Sequence, residues 1–218
     1  GTAVLDQSPS GYNLNILNPE NIEWMPGGGL DILAPTALLN QDAAGEPAPA
    51  TAITSACKSS GALTVETWAR TNDVGANGPA RVVTLSTNAN NRNFTLAQDN
   101  TLANARLRTT LTNNNGTPAT ESQNDVWDGQ INHVVYTRKL GDASVWMNGN
   151  IAGQYIQEEG QEQTPMLGDF SNWNDNYPLT IANEPTLDRP WTGQIFLAAV
   201  YCRDLNAIEI NQNYQAGY

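Results

Sequence analysis

Apolar and polar residues alternate in many short segments of the chain. Residues 63–69 read Leu-Thr-Val-Glu-Thr-Trp-Ala, and this period of two is typical of a half-buried β-strand. Similar patterns predict further strands at residues 81–86, 93–97, 105–112, 131–138, 144–147, 151–155, 179–182 and 194–201. In the segment 105–112, the alternation predicts that Arg106, Arg108 and Thr110 share one face of the strand.

The first 60 residues are repeatedly interrupted by proline and glycine. Apolar pieces at residues 14–17, 22–24 and 30–33 have the length of strands, and none is long enough for a helix. Residues 40–50 are predicted to form a surface loop. Further on, Asn148-Gly149 between two apolar segments predicts a tight β-hairpin.

The end of the chain predicts a short helix. Asn206 is a good N-cap residue, and Glu209 follows three positions later, which is the spacing of a capping box. The helix is expected to extend to about Tyr214. Together, the elements predict an all-β fold, with residues 1–218 forming one antiparallel two-sheet sandwich domain and a short C-terminal helix.

Charge and hydropathy exclude several classes of partner. The chain has 10 Lys and Arg against 22 Asp and Glu, a net charge of −12. Such a surface repels phosphate backbones, so neither nucleic acid nor an anionic membrane is expected as a partner. No apolar run approaches the ~18 residues that a transmembrane helix needs. The acidic, lysine-poor composition favours a secreted, periplasmic or cell-surface location.

The chain contains two cysteines, Cys57 and Cys202. Two are too few for a disulfide framework or a zinc site. They can form one disulfide, which an extracellular location would favour. Two buried free thiols are the alternative.

Four stretches resemble the laminin-G-like, concanavalin A-like jelly rolls of bacterial secreted and cell-surface proteins. They are residues 61–68, residues 78–86 with 91–96, residues 133–138 with 145–149, and residues 181–193 with Val200-Tyr201 and the terminal helix. The resemblance implies a jelly-roll fold over residues 1–218. Members usually begin with an apolar strand ahead of a turn like Asp6-Gln7-Ser8. We therefore expect the first strand to be missing, and an edge strand to be supplied from elsewhere.

The chain lacks the usual patterns of catalytic residues. Jelly-roll glycoside hydrolases usually carry their acid and their nucleophile on one strand, in the string Glu-x-Asp-x-x-Glu, and this string does not occur. Gly-x-Ser-x-Gly is also absent, and His133 is the sole histidine. Glu66, Glu184 and Asp188 are the carboxylates in strongly patterned context. We expect no catalytic residue, with an unrecognised glycan hydrolase or lyase as an alternative.

Calcium is the expected cofactor, in a structural role. It prefers about six to eight oxygen ligands from carboxylates, amides and carbonyls, and related jelly rolls often hold it. The candidate ligands lie in acidic, Asn-rich loops: Asp6, Asp169, Asp175, Glu184 and Asp188. Alternatively, these residues are turn and cap residues, and Asp188 forms an ion pair with Arg189.

A glycan-binding face would need flat aromatic rings together with planar polar groups. The candidates are Arg81, Arg92, Asn93, Arg106, Arg108, Trp173 and Trp191. Arginines clustered on an acidic protein suggest an acidic saccharide or a carboxylate partner. Alternatively, they pair across the sheet with Glu66, Glu184 and Asp188. The remaining tryptophans on apolar alternation, Trp24, Trp68 and Trp146, are expected in the core.

These features predict a non-catalytic extracellular recognition domain that binds a polysaccharide or glycan. The main alternative is an adhesive or assembly subunit of a larger extracellular or membrane-attached complex. It would bind a protein partner through an open sheet edge.

Overall fold

The computed structural model describes residues 1–155 and 167–218. The acidic segment 157–162 carries part of the net negative charge of the chain, and it lies outside the described residues. In chain order the elements are β1 (Ala3–Val4), β2 (Leu14–Ile16), β3 (Ile22–Trp24), β4 (Leu30–Ile32), β5 (Leu38–Leu39), α1 (Thr51–Ser60), β6 (Leu63–Thr71), β7 (Ala80–Asn88), β8 (Asn91–Asp99), β9 (Leu102–Leu107), β10 (Thr120–Glu121), β11 (Asn132–Lys139), β12 (Asp142–Met147), β13 (Asn150–Gln154), β14 (Leu179–Ile181), β15 (Gly193–Tyr201) and α2 (Ala207–Ala216).

The strands form two antiparallel sheets. Sheet A has the order β1-β2-β5-β14-β7-β8-β9-β10, and sheet B has the order β13-β12-β11-β6-β15-β4-β3. Among the described strands, six of the thirteen neighbouring pairs join strands that are not consecutive in the chain, as in a jelly roll. The predicted all-β, antiparallel two-sheet jelly-roll sandwich with a short C-terminal helix is confirmed.

The core lies between the two sheets. Sheet B contributes Leu63 and Val65 from β6, and sheet A contributes Leu85, Phe94 and Leu96, all of them buried. Each such side chain stabilises the fold by about 1.5–3 kcal/mol relative to leaving it in water. The alternation of apolar residues in β6 to β8 thus gives the sandwich its inner face.

The outer face of sheet B is covered by α2, and β6 is therefore buried on both faces rather than half-buried as its pattern predicts. Val135 of β11 packs there with Leu205 and Ile210. The predicted helix start is confirmed, because the Asn206 side chain accepts from the backbone of Glu209 and the Glu209 side chain accepts from the backbone of Asn206.

Other sequence predictions have mixed outcomes. The hairpin is confirmed: Asn148 and Gly149 join β12 to β13 with φ of 51° and 79°. The C-terminal helix is the only helix that the sequence predicts, and the structure adds α1, a ten-residue helix. It ends at Gly61, whose left-handed conformation closes the helix.

The predicted strand at residues 105–112 ends early. β9 stops at Leu107, and the backbone N–H of Thr109 donates to Thr112 Oγ1 at 2.7 Å. This local bond closes a turn in place of the ladder, so Arg108 and Thr110 do not continue the strand that carries Arg106.

Candidate functional site

A β-bulge turns the side chain of Arg81 to the outer face of sheet A, away from sheet B. Val83 belongs to the core, and a residue two positions before it would normally face the core as well. The register shifts between them, because Arg81 lies opposite Ala97 while Val83 lies opposite Leu96. The extra residue in β7 therefore puts Arg81 on the outer face.

A second register shift acts in the same way on Arg92. Phe94 faces the core opposite Leu85, whereas Arg92 lies opposite Ser86. Asn93 is the extra residue, and it rotates Arg92 outward. The neighbouring strand β9 needs no bulge to place Arg106 on the same face.

Four arginines meet on this face, and we refer to Arg81, Arg92, Arg106 and Arg189 as the arginine cluster. Arg106 lies opposite Thr95 in the ladder, and Arg92 Nη1 donates to Thr95 Oγ1 at 3.4 Å. Arg189, in the loop after β14, accepts a hydrogen bond from the backbone N–H of Arg81 at 3.1 Å.

Glu184 supplies the buried carboxylate of the arginine cluster. Arg81 Nε donates to one of its oxygens and Ser86 Oγ donates to the other. The Arg81 and Glu184 side chains are only 1% and 0% exposed. Burial lowers the pKa of Arg81, and the charge of Glu184 opposes this effect.

Arg92 is completely buried and has only neutral acceptors. Its Nη2 donates to the carbonyl of Ala89, which also accepts from Arg81. No described residue accepts a hydrogen bond from its Nε. Burial, followed by the neighbouring charge of Arg81, lowers the pKa of Arg92 to about 9. The charged form of Arg92 is therefore held at a cost in free energy.

Arg106 and Arg189 form the partly exposed rim of the arginine cluster. Arg106 donates to Asn104 Oδ1 at 3.2 Å and to Asn115 Oδ1 at 3.1 Å. Burial lowers the pKa of Arg106, while the charges of Asp99 and Glu121 act in the opposite direction.

The guanidinium of Arg189 makes no hydrogen bond or ion pair within residues 1–155 and 167–218, and its Nε is buried. The expected ion pair between Asp188 and Arg189 is not formed. Asp188 instead accepts from Thr186 Oγ1 at 2.8 Å. Of the cross-sheet ion pairs expected for the arginines, only that of Arg81 with Glu184 is present in the described chain.

Several predicted ligand-binding residues lie elsewhere. The prediction that Trp173 and Trp191 present their rings in loops is wrong, since they are 3% and 1% exposed. Trp173 stacks on Phe170 and donates to the carbonyl of Arg108 at 2.6 Å. Trp191 donates to Gln98 Oε1 at 2.8 Å. Both rings belong to the core.

Asn93 is also structural. It is buried, its Nδ2 donates to the carbonyl of Asn174 at 2.8 Å, and its Oδ1 accepts from the Asn174 N–H at 2.9 Å. Arg108 follows the end of β9 and is partly exposed. Its Nε is buried, and no described residue accepts a hydrogen bond from it. The expectation that Trp24 lies in the core is wrong, because it is 48% exposed. Trp68 is buried and Trp146 is half-buried.

A family model described as the concanavalin A-like lectin/glucanases superfamily matches residues 45–211. The chain belongs to this superfamily. The match spans strands of both sheets and the whole arginine cluster. No curated protein matches the chain.

Solved structures share the superfamily fold at low sequence identity. The binding domain of botulinum neurotoxin DC in complex with SialylT has a TM-score of 0.62 and 12% identity, covering 97% of this chain and 48% of that one. The same domain in complex with rat synaptotagmin II has a TM-score of 0.56 and 12% identity, covering 99% and 45%. Trypanosoma rangeli sialidase in complex with 2,3-difluorosialic acid has a TM-score of 0.58 and 16% identity, covering 93% and 29%. This chain thus spans about half or less of those chains.

The calcium ligands predicted by resemblance to this superfamily are not brought together. Asp6 accepts three hydrogen bonds within its own turn, from the N–H and hydroxyl of Ser8 and the N–H of Tyr12. Asp169 Oδ1 accepts a hydrogen bond from the backbone N–H of Ser171. Asp175 forms an ion pair with Lys58 at 2.7 Å.

Glu184 lies in the arginine cluster, where a cation would be repelled. The described residues contain no group of three or more His, Cys, Asp or Glu side chains that could hold a metal ion. The five carboxylates do not fit a shared calcium site, and calcium binding stays a prediction without an assembled ligand set.

The predicted disulfide is present. Cys57 in α1 is bonded to Cys202, the residue after β15, with a Cα–Cα distance of 4.4 Å. The alternative of two free thiols is therefore wrong. Among the described residues, no helix is long and apolar enough to cross a membrane.

A second buried cluster of polar residues lies under α2. His133 Nε2 is 2.7 Å from Glu66 Oε1, and both side chains are buried. Trp68, Tyr214 and Tyr218 cover the pair. The sequence analysis singled out Glu66 and His133 separately. Their contact could not be predicted, because it depends on the register of β11 against β6.

One edge of sheet B is open. β15 pairs with β6 over its whole length, but with β4 only at Gly193–Ile195. Among the described residues no strand pairs with the other edge of residues 196–201. A cavity of about 780 Å³ lies beside this edge and is lined mainly by apolar side chains, including Val4, Leu14, Leu38, Val83 and Trp24. We refer to it as the edge cleft.

The two surfaces differ in the chemistry they offer. The arginine cluster offers positive charge and hydrogen-bond donors to an anion. The edge cleft offers unpaired backbone groups and apolar walls to an extended segment. The expectation that the edge takes a strand from elsewhere stays a prediction.

Proposed function

We propose that the chain is a non-catalytic extracellular recognition domain that binds carbohydrate on the outer face of sheet A. The observation that carries the proposal is the arginine cluster: four arginines lie on one face, the buried Glu184 pairs with Arg81, and two of the four, Arg106 and Arg189, reach the surface. On a chain of net charge −12, this positive area is a specific place for a negatively charged or strongly polar ligand.

The superfamily and its solved relatives support the proposal. Two of the similar structures were solved with SialylT or 2,3-difluorosialic acid. The Cys57–Cys202 disulfide supports an extracellular location, since disulfides persist mainly in oxidising compartments. A non-catalytic role is supported by the burial of Glu66 and Glu184, each of which is occupied by neighbouring donors.

Affinity electrophoresis on immobilised polysaccharides tests the proposal. We expect the wild-type protein to be retarded by at least one polysaccharide, and the variants Arg106→Gln and Arg189→Gln to migrate freely. Arg203→Gln is the matched control, because Arg203 is an exposed arginine that pairs with Glu209 at the other sheet. Equal retardation of the two rim variants and the wild type, or no retardation by any polysaccharide, would contradict the proposal.

The open edge favours a second function, the binding of an extended protein segment. We infer that a strand with apolar residues at alternate positions docks along residues 196–201, with its backbone pairing to β15 and its side chains filling the edge cleft. Core residues such as Val83 and Ile181 line the wall of the cleft, so an inserted strand would extend the sandwich there.

Trp24 provides a reporter for this second function, because it is 48% exposed and lines the edge cleft. A synthetic peptide of alternating Val and Thr should bury the ring and shift its fluorescence emission to shorter wavelength. The same peptide with N-methylated backbone amides is the control, because it keeps the side chains but loses the ladder. An equal response to both peptides, or to neither, would argue against strand addition.

A further inference from the structure

We propose that Arg106 and Arg189 bind the carboxylate group of an acidic saccharide. The inference rests on the proposed function, in which the outer face of sheet A recognises carbohydrate, and adds the class of sugar. It concerns the rim of the arginine cluster, where the two side chains are partly exposed.

Arg189 is the residue with the most unused binding capacity. Its backbone is fixed, because its carbonyl accepts from Arg81 and its N–H donates to Asn183 Oδ1 at 2.9 Å. Its guanidinium, in contrast, has no partner among the described residues, and its Nε is buried. A guanidinium held at this place without an acceptor is ready to donate to an incoming oxygen atom.

Arg106 is the second partly exposed residue of the arginine cluster. Arg92 is within the electrostatic reach of both Arg106 and Arg189, and Arg106 is within that of Arg189. Two nitrogens of Arg106 are used by Asn104 and Asn115, which leaves its remaining nitrogen for a ligand. Those two amides also hold the guanidinium in place.

The charge of the arginine cluster favours an anion. Glu184 compensates one of the four guanidinium groups, and Arg92 donates only to the carbonyl of Ala89 and the hydroxyl of Thr95. Asp99 and Glu121 act on Arg106, but neither of them forms an ion pair with it. An anion at the rim would relieve the repulsion among Arg92, Arg106 and Arg189. Burial, and then the charge of Arg81, lower the pKa of Arg92, and Arg106 and Arg189 act in the same direction.

The arginine cluster also indicates which anion fits. It already holds one carboxylate, that of Glu184, between a guanidinium of Arg81 and the hydroxyl of Ser86. Guanidinium groups match the planar carboxylate through paired hydrogen bonds. A uronic acid or another carboxylated sugar would repeat this arrangement at the rim, while its hydroxyls contact the surrounding amides.

The test compares sugars that differ only in their charged group. Isothermal titration calorimetry of the wild-type chain with glucuronate, glucose and glucose 6-sulfate should give a dissociation constant at least about tenfold lower for glucuronate than for either of the others, because charge-assisted hydrogen bonds are the stronger ones. Raising the salt concentration should weaken glucuronate binding and leave glucose binding unchanged.

Variants separate the roles of the residues. Arg189→Gln should weaken glucuronate binding about tenfold or more, whereas Arg203→Gln should leave it unchanged. Arg189→Lys should bind glucuronate more tightly than Arg189→Gln but more weakly than the wild type, because lysine lacks the paired donors of arginine.

The outcomes distinguish the inference from the proposed function. Equal affinity for glucuronate and glucose would overturn the inference and leave carbohydrate recognition standing. Tighter binding of glucose 6-sulfate than of glucuronate would overturn the assignment to a carboxylate. If Arg189→Gln binds glucuronate as the wild type does, the inference fails. If no sugar binds and no polysaccharide retards the protein in electrophoresis, both fail.

Discussion

His133 Nε2 lies 2.7 Å from Glu66 Oε1 across β11 and β6, and helix α2 covers the pair. The other carboxylate oxygen of Glu66 accepts from Asn213 Nδ2 in α2 at 3.0 Å. The charge of this carboxylate also acts on Tyr201 of β15. Through its two hydrogen-bond partners, the buried Glu66 links β6, β11 and the C-terminal helix.

Replacing Glu66 should loosen the attachment of α2. Glu66→Gln keeps the size of the side chain but removes its charge and puts an amide donor near Asn213. We expect the free energy of unfolding to fall by about 1–3 kcal/mol, measured by urea denaturation. Ile208→Ala is the control on the same helix, because Ile208 is 70% exposed, and it should change stability by less than about 0.5 kcal/mol. A similarly small change for Glu66→Gln would contradict this role.

The free energy of unfolding should depend on pH in the alkaline range, because Tyr201 lies in a buried place near Glu66. Burial, and then the charge and hydrogen bond of Glu66, raise the pKa of Tyr201 to about 12, above the value of about 10 for a free tyrosine. The folded state thus holds this proton more tightly than the unfolded state. The corresponding stability is fully present below about pH 10, and it is lost as the pH rises toward 12.

We expect the melting temperature of the wild type to fall more steeply between pH 9 and pH 11.5 than that of Tyr201→Phe, which has no proton to lose at this position. Differential scanning calorimetry of both proteins over that range measures the difference. Because both proteins keep every other titratable group, the difference isolates Tyr201. Parallel curves would show that Tyr201 titrates equally in the folded and unfolded states.

The strands could be predicted because alternation with a period of two is visible in consecutive residues of the chain. The segment 63–69 and the Asn148-Gly149 hairpin were predicted from such local patterns. α1 could not be, since its apolar contacts depend on distant partners: Cys57 is buried and bonded to a residue 145 positions away. The two-residue strands β1, β5 and β10 are too short to show any period.

The candidate site was predicted in part. Arg81, Arg92 and Arg106 were singled out together, and they do share one face. Their orientation depends on two bulges, and the consecutive apolar residues Val82 and Val83 that break the alternation in β7 were not recognised as one of them. Trp173 and Trp191 were misplaced because a tryptophan among turn residues can bury its ring while its backbone stays in a loop. Arg189 was missed as a ligand residue because Asp188 beside it suggested an ion pair.

The buried ion pair of Arg81 and Glu184 is expected to be costly to break. Glu184→Gln leaves Arg81 buried without its charged partner, and the free energy of unfolding should fall by about 3–5 kcal/mol. Chemical denaturation with guanidinium chloride measures the loss. The comparison is Asp175→Asn, which breaks the exposed pair with Lys58 and should cost less than about 1 kcal/mol. Equal losses for the two variants would mean that burial does not decide the effect.

The Cys57–Cys202 disulfide should contribute strongly to stability, because it joins residues 145 positions apart. Closing so long a loop restricts the unfolded chain, and removing a native disulfide typically costs about 2–5 kcal/mol. We expect the double variant Cys57→Ser/Cys202→Ser to lose this amount in urea denaturation, and the wild type treated with dithiothreitol to lose as much. Because β15 has no second neighbour beyond Ile195 among the described strands, the disulfide also restrains the open end of that strand. Hydrogen exchange at residues 196–201 should accordingly quicken in the double variant more than exchange in β8, which has partners on both sides. Unchanged denaturation midpoints in both experiments would show that the packing of the sandwich alone holds α1 and β15 in place.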